Sequence, residues 1–246
     1  MIKLNEIPTT PPDGIDKSEI RNKTNKFVRE IAEFQEVMYA ERKHSLLVVL
    51  QGMDTSGKDG ATRNVFKRCS PAGTNFYAFK KPTDEEFAHD FLWRVHMQTP
   101  RKGEIMIFNR SHYEDILIQR VHGWISEEQA KKRLKAINAF EELVSFDNNT
   151  TILKFYMHVS YEKQLEKLQE RIDDPQKNYK HNPGDWKERE SWDKYMDCYE
   201  SAINETLIPW NIVPVDQRWY RDYFIARKVA ETLASFDLRF PKIDLK

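Results

Sequence analysis

A glycine-rich segment follows a short apolar stretch and contains the frame G-x-x-x-x-G-K. It runs Gln51-Gly52-Met53-Asp54-Thr55-Ser56-Gly57-Lys58-Asp59-Gly60. Two glycines at this spacing let the backbone turn so that successive N–H groups converge on phosphate oxygens, and the lysine neutralises charge further out. A helix that begins here directs its positive end at the same anion. The segment therefore predicts a phosphate-binding loop whose contacts come from Met53, Thr55, Ser56, Gly57, Lys58, Asp59 and Gly60.

Two acidic residues distinguish this loop from that of most nucleoside triphosphatases. Asp54 lies inside the loop, and Asp59 stands where Ser or Thr usually follows the lysine. A carboxylate beside bound phosphates is repelled unless a cation lies between them, so Asp54 predicts a Mg²⁺ site, with Mn²⁺ as the alternative ion. Asp59 could bind phosphate through its amide or cap the following helix.

A second polar cluster ends another apolar stretch, in the order Phe108-Asn109-Arg110-Ser111-His112-Tyr113-Glu114-Asp115. The carboxyl ends of parallel strands face the ligand crevice of an open α/β sheet, so we expect Asn109 and Arg110 to point at the phosphates. Arg110 could bind two phosphate oxygens and stabilise charge during transfer. Its alternative partner is Glu114, one helical turn further on. His112 is expected to be structural.

Short apolar segments alternate with helical patterns along most of the chain, which predicts an α/β fold with a central parallel sheet of about five strands. The predicted strands are Ser45–Leu50, Asn75–Phe79, Glu104–Phe108, Thr151–Val159 and Trp210–Val215. The predicted helices between and after them are Ala61–Cys69, Asp84–Gln98, Ser126–Asp147 and Tyr220–Phe236.

Two regions lie outside this alternation. Residues 1–44 read as a proline-containing arm and an amphipathic helix, Asp16–Arg42, whose apolar face would pack on the core or on a partner chain. Residues 45–246 form the predicted core. Within it, about 161–206 is a helical stretch rich in Lys, Arg, Trp and Tyr, which predicts a lid over the ligand edge of the sheet.

Composition excludes several classes of protein. Lys plus Arg and Asp plus Glu are both 39, so the net charge is zero and gives no general attraction to nucleic acid or anionic membrane. The longest apolar run, Leu46–Leu50, is far shorter than the ~20 residues of a membrane helix. We therefore expect a cytoplasmic protein, and its two distant cysteines, Cys69 and Cys198, are expected to be free thiols.

Taken in order, these segments resemble the polyphosphate kinase 2 family from about Leu46 to Phe236. The matching segments beyond the two polar clusters are Phe91-Leu92-Trp93-Arg94, Arg171-Ile-Asp-Asp-Pro175-Gln-Lys177-Asn-Tyr-Lys180, Trp192-x-x-Tyr195 and Pro209-Trp210 leading to Val213-Pro214. The resemblance implies a P-loop kinase-like three-layer α/β sandwich with a helical lid, in which the two clusters correspond to the Walker A and Walker B motifs.

The resemblance also implies an activity: Mg²⁺-dependent phosphoryl transfer between inorganic polyphosphate and AMP, ADP and also GMP or GDP, in a homo-oligomer, either a dimer or a tetramer. Asp54 would hold the metal, and Lys58 and Arg110 would balance charge in the transition state. A basic groove along the polymer is assigned as a set to Lys67, Arg68, Lys80 and Lys81. Substrate contacts near the lid are assigned to Glu114, Arg171, Lys177 and Lys180. For the three cations of this set, ion pairs with Asp173 and Asp174 are the alternative.

Asn109 departs from many members of the family, which carry Asp there. Asn removes a charge next to the acceptor phosphate, and this form of the motif resembles the branch that handles AMP as well as ADP. An engineered, activity-impairing substitution is the other explanation.

Two rival functions remain open from the sequence. One is an ordinary kinase that uses ATP to phosphorylate a nucleotide or small metabolite. The other is a non-catalytic nucleotide switch or a nucleic-acid binder, which the neutral net charge disfavours.

Overall fold

A computed structural model describes residues 1–242 of the chain, and within them five strands form one parallel sheet. Their order across the sheet is β2-β3-β1-β4-β5. Every residue of β1 is buried, because helices cover both faces of the sheet. The strands are β1 (Ser45–Gln51), β2 (Thr74–Ala78), β3 (Ile105–Asn109), β4 (Thr150–His158) and β5 (Trp210–Pro214).

The register brings the functional loops to one edge of the sheet. Leu50 of β1 pairs with Asn109 of β3 on one side and with Phe155 of β4 on the other. The loop after β1 and the residues after β3 therefore leave the sheet side by side. This confirms the predicted three-layer α/β architecture with five parallel strands.

Ten α-helices surround the sheet in residues 1–242. They are α1 (Lys17–Glu41), α2 (Lys58–Val65), α3 (Asp84–Ala88), α4 (Trp93–His96), α5 (Ile118–Val121), α6 (Glu127–Asp147), α7 (Tyr161–Asp173), α8 (Pro183–Arg189), α9 (Trp192–Glu205) and α10 (Arg218–Ala234). Short 3₁₀ segments add Leu4–Glu6, His112–Asp115 and Asn178–Lys180.

Helix α1 packs along α10 and buries Ile20, Val28, Ile31 and Met38. Its apolar face is thus covered by another helix of the same chain. Of the two predicted alternatives, packing on the core or on a partner chain, the structure shows the first. The arm before α1 also lies on the core: Leu4 is buried, and its amide donates to Glu200 of α9 (2.8 Å). Residues 243–246, the end of the predicted core, lie outside the described residues.

The predicted helix Asp84–Gln98 is in fact two short helices, α3 and α4. The capping box of Thr83 and Glu86 starts α3. The helix stops at His89, whose backbone is extended, and the side chain of Asp90 then accepts a hydrogen bond from the amide of Leu92 (2.9 Å). Such a local side-chain bond competes with helical pairing, and the apolar spacing alone did not reveal it.

Helices α7, α8 and α9 form the region predicted as a lid, and it contacts the loop after β1. Gln164 of α7 donates to the carbonyl oxygen of Asp54 (3.3 Å), and Arg189 of α8 donates to Gln164 (2.9 Å). None of the helices in residues 1–242 has both the length and the apolar composition needed to cross a bilayer.

Candidate active site

The loop between β1 and α2 takes a conformation that depends on its glycines. Gly52 passes so close to β4 that a Cβ there would lie 2.8 Å from the carbonyl oxygen of Met157. Gly57 has a φ of 88° and caps α2 at its N-terminus. Non-glycine residues rarely adopt this left-handed region, so both glycines are needed for the turn. The chain thus forms the glycine turn, followed directly by a helix, that the sequence predicted.

A run of free amides lines the turn. Within residues 1–242, the N–H groups of Gly57, Lys58, Asp59 and Gly60 donate no hydrogen bond. Converging free amides at the start of a helix bind anions, because they add oriented partial positive charges to the helix dipole. The predicted contacts Thr55, Ser56, Gly57, Asp59 and Gly60 line the cleft in front of this turn, whereas Met53 is buried behind it.

Lys58 is buried within the loop, at 8% exposure. Its ammonium group donates to the carbonyl oxygens of Gly52 (2.8 Å) and Met53 (3.1 Å). Burial, together with the neighbouring charge of Arg110, lowers the pKa of Lys58 from 10.5 to about 8. The loop therefore holds a poorly solvated cation that an anionic ligand would stabilise.

Arg110 and Asp54 form an ion pair across the mouth of the loop, with Nη2 2.6 Å from Oδ1. Arg110 follows directly after β3 and has a φ of 61°, a strained conformation of the kind that recurs at functional sites. Burial raises the pKa of a carboxyl group, but the charges of Arg110 and Lys58 outweigh burial and lower the pKa of Asp54 below 3.8. Asp54 is therefore ionised at neutral pH.

Asn109 lies beside the loop, as its place at the end of β3 predicts. Its Nδ2 donates to Oδ1 of Asp59. This contact gives Asp59 a side-chain partner, and Asp59 makes no side-chain cap of α2. The residue types are complementary, because an amide can donate to a carboxylate whereas a second carboxylate cannot.

Glu114 does not pair with Arg110 in a hydrogen bond. It accepts from Nε2 of Gln51, the last residue of β1, whose Oε1 accepts from Ser111 (3.2 Å). Glu114 does not line the cleft. The Gln51 side chain thus ties the ends of β1 and β3 together beneath the loop.

A fully buried charge pair supports the segment after β3. Lys154 of β4 and Glu141 of α6 are 0% and 1% exposed, with Nζ 2.8 Å from Oε2. Tyr113 donates to Glu141 (2.8 Å) and accepts from Lys154 (2.7 Å), and His112 contacts the same carboxylate at 3.3 Å. His112 is therefore part of the core, consistent with a structural role.

A cleft of about 950 Å³ opens in front of the loop, between α7, the start of α1 and the start of α10. Thirteen Lys and Arg residues line it, against four Asp and Glu residues, although the chain as a whole is neutral. Of the four residues predicted for a basic groove, Lys80 lines the cleft and Lys67, Arg68 and Lys81 do not. Buried Arg94 donates to the carbonyl oxygen of Lys80 (2.9 Å) and so holds that residue at the rim.

The lid-side cations of the cleft are mostly paired. Arg171 pairs with Asp185 (2.5 Å) rather than with Asp173 or Asp174, and Lys177 pairs with both Glu170 and Asp174 at 2.6 Å. Lys180 lies 5.5 Å from the ring centre of Tyr179. All three predicted lid cations line the cleft.

Cations on the other side of the cleft have no carboxylate partner within 4.0 Å in residues 1–242; they are Lys17, Arg21, Arg63 and Lys80. Uncompensated like charges that face one cavity repel one another, so their neutralisation by a polyanion would be favourable. This side of the cleft is the natural place for a chain of negative charges.

Several of the lining residues were missed by the sequence analysis. They are Lys17 and Arg21 of α1, Arg63 of α2, Lys163 and Lys167 of α7, and Arg218 and Arg221 of α10. Within α1 and α7 the cations recur four residues apart, which places them on one helix face. That spacing is a signal the sequence does carry, but it does not reveal which faces meet.

Comparisons with known proteins agree with this geometry. The family model described as polyphosphate kinase 2 matches residues 14–241. An AMP/ADP-polyphosphate phosphotransferase of Meiothermus ruber is 45% identical over 217 residues, covering 87% of this chain and 81% of its own. An ADP-polyphosphate phosphotransferase of Rhodopseudomonas palustris is 36% identical, covering 87% of this chain and 79% of its own. The crystal structure of a polyphosphate kinase 2 from Arthrobacter aurescens superposes with a TM-score of 0.96 at 37% identity, covering 100% of this chain and 89% of that one.

Proposed function

Because the chain belongs to the polyphosphate kinase 2 family, we propose that it transfers the terminal phosphoryl group of inorganic polyphosphate to AMP and to ADP, forming ADP and ATP. GMP and GDP are proposed as further acceptors. The transfer is reversible, so ATP can also return its terminal phosphoryl group to the polymer.

The observation that carries this proposal is the charge of the cleft. A neutral protein concentrates thirteen cations around one cavity, and those near α1 and α2 lack acidic partners. A nucleotide alone presents a few phosphates at one point, whereas a polymer presents negative charge along its length. An extended row of cations therefore favours a polyanionic donor over a small one.

The loop and the end of β3 supply the groups that phosphoryl transfer needs. The breaking bond joins the terminal phosphorus of the polymer to its bridging oxygen, and the new bond joins that phosphorus to a terminal phosphate oxygen of the nucleotide. This oxygen is already ionised, so no general base is required. Lys58, Arg110 and the free amides of the loop stabilise negative charge while fixing the geometry of the reacting groups.

Asp54 is suited to help hold a Mg²⁺ ion. Its Oδ1 accepts from Arg110, while its Oδ2 has no hydrogen-bond partner in residues 1–242. Within the same residues no cluster of three or more His, Cys, Asp or Glu side chains could hold a metal. Mg²⁺ commonly binds through one or two carboxylates, substrate phosphates and water. The single free carboxylate oxygen of Asp54 is therefore a suitable protein ligand for this ion. The ion would neutralise charge that develops on the phosphates.

Asn109 supports the use of both acceptors. Its amide donates to Asp59 and leaves the acceptor side of the loop without an extra carboxylate. A phosphate of either AMP or ADP can then approach without direct repulsion from position 109. We accordingly treat Asn109 as a functional residue rather than an impairing substitution.

The decisive experiment is a donor and acceptor screen with purified protein and Mg²⁺. Polyphosphate or ATP is offered as donor to AMP, ADP, GMP or GDP, and the products are identified by chromatography. We expect ADP from AMP and ATP from ADP with polyphosphate as the sole donor. Transfer from ATP alone, with polyphosphate inert in both directions, would support an ordinary nucleotide kinase instead.

The assembly and location of the enzyme are proposed as well. We expect a homo-oligomer in the cytoplasm. Light scattering on the eluted protein checks the first expectation, and a mass equal to the 29.3 kDa chain at micromolar concentration would contradict it. Fractionation of the source cells checks the second.

A further inference from the structure

Arg221, near the start of α10, lies directly against the phosphate-binding loop. Arg221 as a whole is only 3% exposed, yet part of it lines the cleft. A Cβ built on Gly57 would lie 2.2 Å from its Nη1, and one built on Gly60 would lie 3.2 Å from its Nη2. The guanidinium group therefore occupies the space that a side chain at either glycine would fill, beside the first turn of α2.

One edge of this guanidinium group is fixed by a neighbouring carboxylate. Nε and Nη2 both donate to Oδ1 of Asp222, at 2.8 Å and 2.6 Å. The other oxygen of Asp222 accepts from Nδ2 of Asn64 on α2 (2.7 Å). The head of Arg221 is thus held from α10 and α2 together, with little freedom to turn away from the loop.

The remaining nitrogen of this group, Nη1, faces the first turn of α2. Nη1 donates no hydrogen bond to any of residues 1–242, although the side chain as a whole is almost completely buried. Nη1 is not one of the fully buried atoms that lack a partner, so it reaches the cleft from a side chain that is otherwise buried. A charged donor shielded from bulk water on most sides gains more from an accepting ligand group than a fully exposed donor would. The free amides of the loop's first helical turn lie beside it.

We propose that Arg221 is a substrate-contacting residue: its Nη1 donates to the phosphate held by the loop, and Asp222 and Asn64 are positioning residues that aim it. The ligand class is a condensed phosphate, and in this respect the inference rests on the proposed function. Arg110 and Arg221 then hold the same phosphate region from opposite elements, the end of β3 and the start of α10.

The direct test measures binding of tripolyphosphate by calorimetry at fixed ionic strength, so that it does not depend on turnover. Arg221→Met keeps most of the side-chain length and removes the charge. A charge-assisted hydrogen bond is worth ~1.5–3 kcal/mol, so we expect the Kd to rise about 10- to 100-fold. Arg227→Met is the matched control, because Arg227 lies on the same helix, is exposed and pairs with Glu231 outside the cleft. We expect its Kd to stay within twofold of wild type.

A second experiment tests whether Asn64 positions Arg221 or has only a structural role. Asn64→Ala should raise the Kd about two- to fivefold in the wild-type background and leave it unchanged in the Arg221→Met background, because the positioned group is then absent. A purely structural role of Asn64 would give the same change in both backgrounds and would overturn its assignment. If Arg221→Met does not fold, Arg221→Lys takes its place, since a lysine cannot reproduce the fork that Asp222 holds.

A folded Arg221→Met or Arg221→Lys enzyme that binds tripolyphosphate with wild-type affinity would overturn the proposal. This outcome is distinct from failure of the proposed function. A wild-type enzyme that binds tripolyphosphate but transfers no phosphoryl group from polyphosphate would contradict the activity, while the binding comparison would still decide the role of Arg221.

Discussion

Replacing Lys58 by Met should separate the stability of the loop from its function. The ammonium group of Lys58 is buried and its pKa is lowered from 10.5 to about 8. Each pKa unit corresponds to ~1.4 kcal/mol, so holding this charge in the folded protein at neutral pH costs about 3 kcal/mol. The variant loses that cost and also loses two hydrogen bonds to loop carbonyls, worth ~1 kcal/mol each.

The sign of the pH dependence follows from proton binding. Between pH 8 and pH 10.5 the unfolded wild-type chain keeps the proton on Lys58, whereas the folded chain has lost it. Because the unfolded state binds more protons, the free energy of unfolding of the wild type rises with pH across this window. Lys58→Met lacks this gain of ~1.4 kcal/mol per pH unit. At pH 7 we expect the variant to be at least as stable as the wild type.

The assay is urea unfolding followed by tryptophan fluorescence at pH 7, 8, 9 and 10. The difference in unfolding free energy, variant minus wild type, should fall by about 3 kcal/mol between pH 7 and pH 10. Lys135→Met, which removes an exposed lysine of α6, is the matched control. Turnover of Lys58→Met should be at least ~100-fold below wild type, because charge stabilisation in the transition state is lost. A pH-independent difference in stability, or near-normal turnover, would refute the account of this lysine.

Four further predictions follow from the same contacts. Excess chelator should abolish phosphoryl transfer by the wild type and readdition of Mg²⁺ should restore it; sustained turnover without divalent ions would contradict the role of Asp54. Asn109→Asp replaces the amide that donates to Asp59 by a second carboxylate, which cannot donate and repels Asp59, so turnover should fall at least ~10-fold; unchanged turnover would count against this contact. Lys154→Met leaves Glu141 buried without its cation and should lower the free energy of unfolding by ~3–5 kcal/mol. A loss below ~1 kcal/mol would contradict this prediction. Lys17→Gln combined with Arg21→Gln should raise the KM for long-chain polyphosphate and weaken its salt dependence while leaving the KM for ADP unchanged; equal effects on both substrates would argue against a polymer path beside α1.

The parts of the fold that the sequence predicted are those where local pattern and tertiary structure agree. The three central strands β1, β3 and β4 are buried on both faces apart from Thr151, so they appear as nearly continuous apolar runs. The predicted bounds of all five strands lie within one residue of the observed ones at every end. The glycine turn between β1 and α2 was equally predictable, because its backbone conformation requires glycine at positions 52 and 57. Asn109 and Arg110 followed from the rule that strand ends face the crevice.

Contacts between helices that are far apart in the sequence could not be predicted from such local patterns. Arg221 reaches the loop only because α10 packs beside α2, and nothing in its local sequence distinguishes it from an ordinary helical arginine. The pairing of Arg171 with Asp185, rather than with the nearer Asp173 or Asp174, depends on how α8 folds back on α7. Lys154 lies within an apparently apolar strand, and only its position opposite Glu141 explains a buried charge there.

The central claim is that the turn from Gly52 to Lys58 grips a condensed phosphate, and a crystal structure with bound tripolyphosphate tests it most directly. We predict a phosphate group on the free amides of Gly57 to Gly60, with the ammonium group of Lys58 moved from the carbonyl oxygens of Gly52 and Met53 onto a phosphate oxygen. Tripolyphosphate bound elsewhere, with Lys58 still donating to those two carbonyls, would contradict the account.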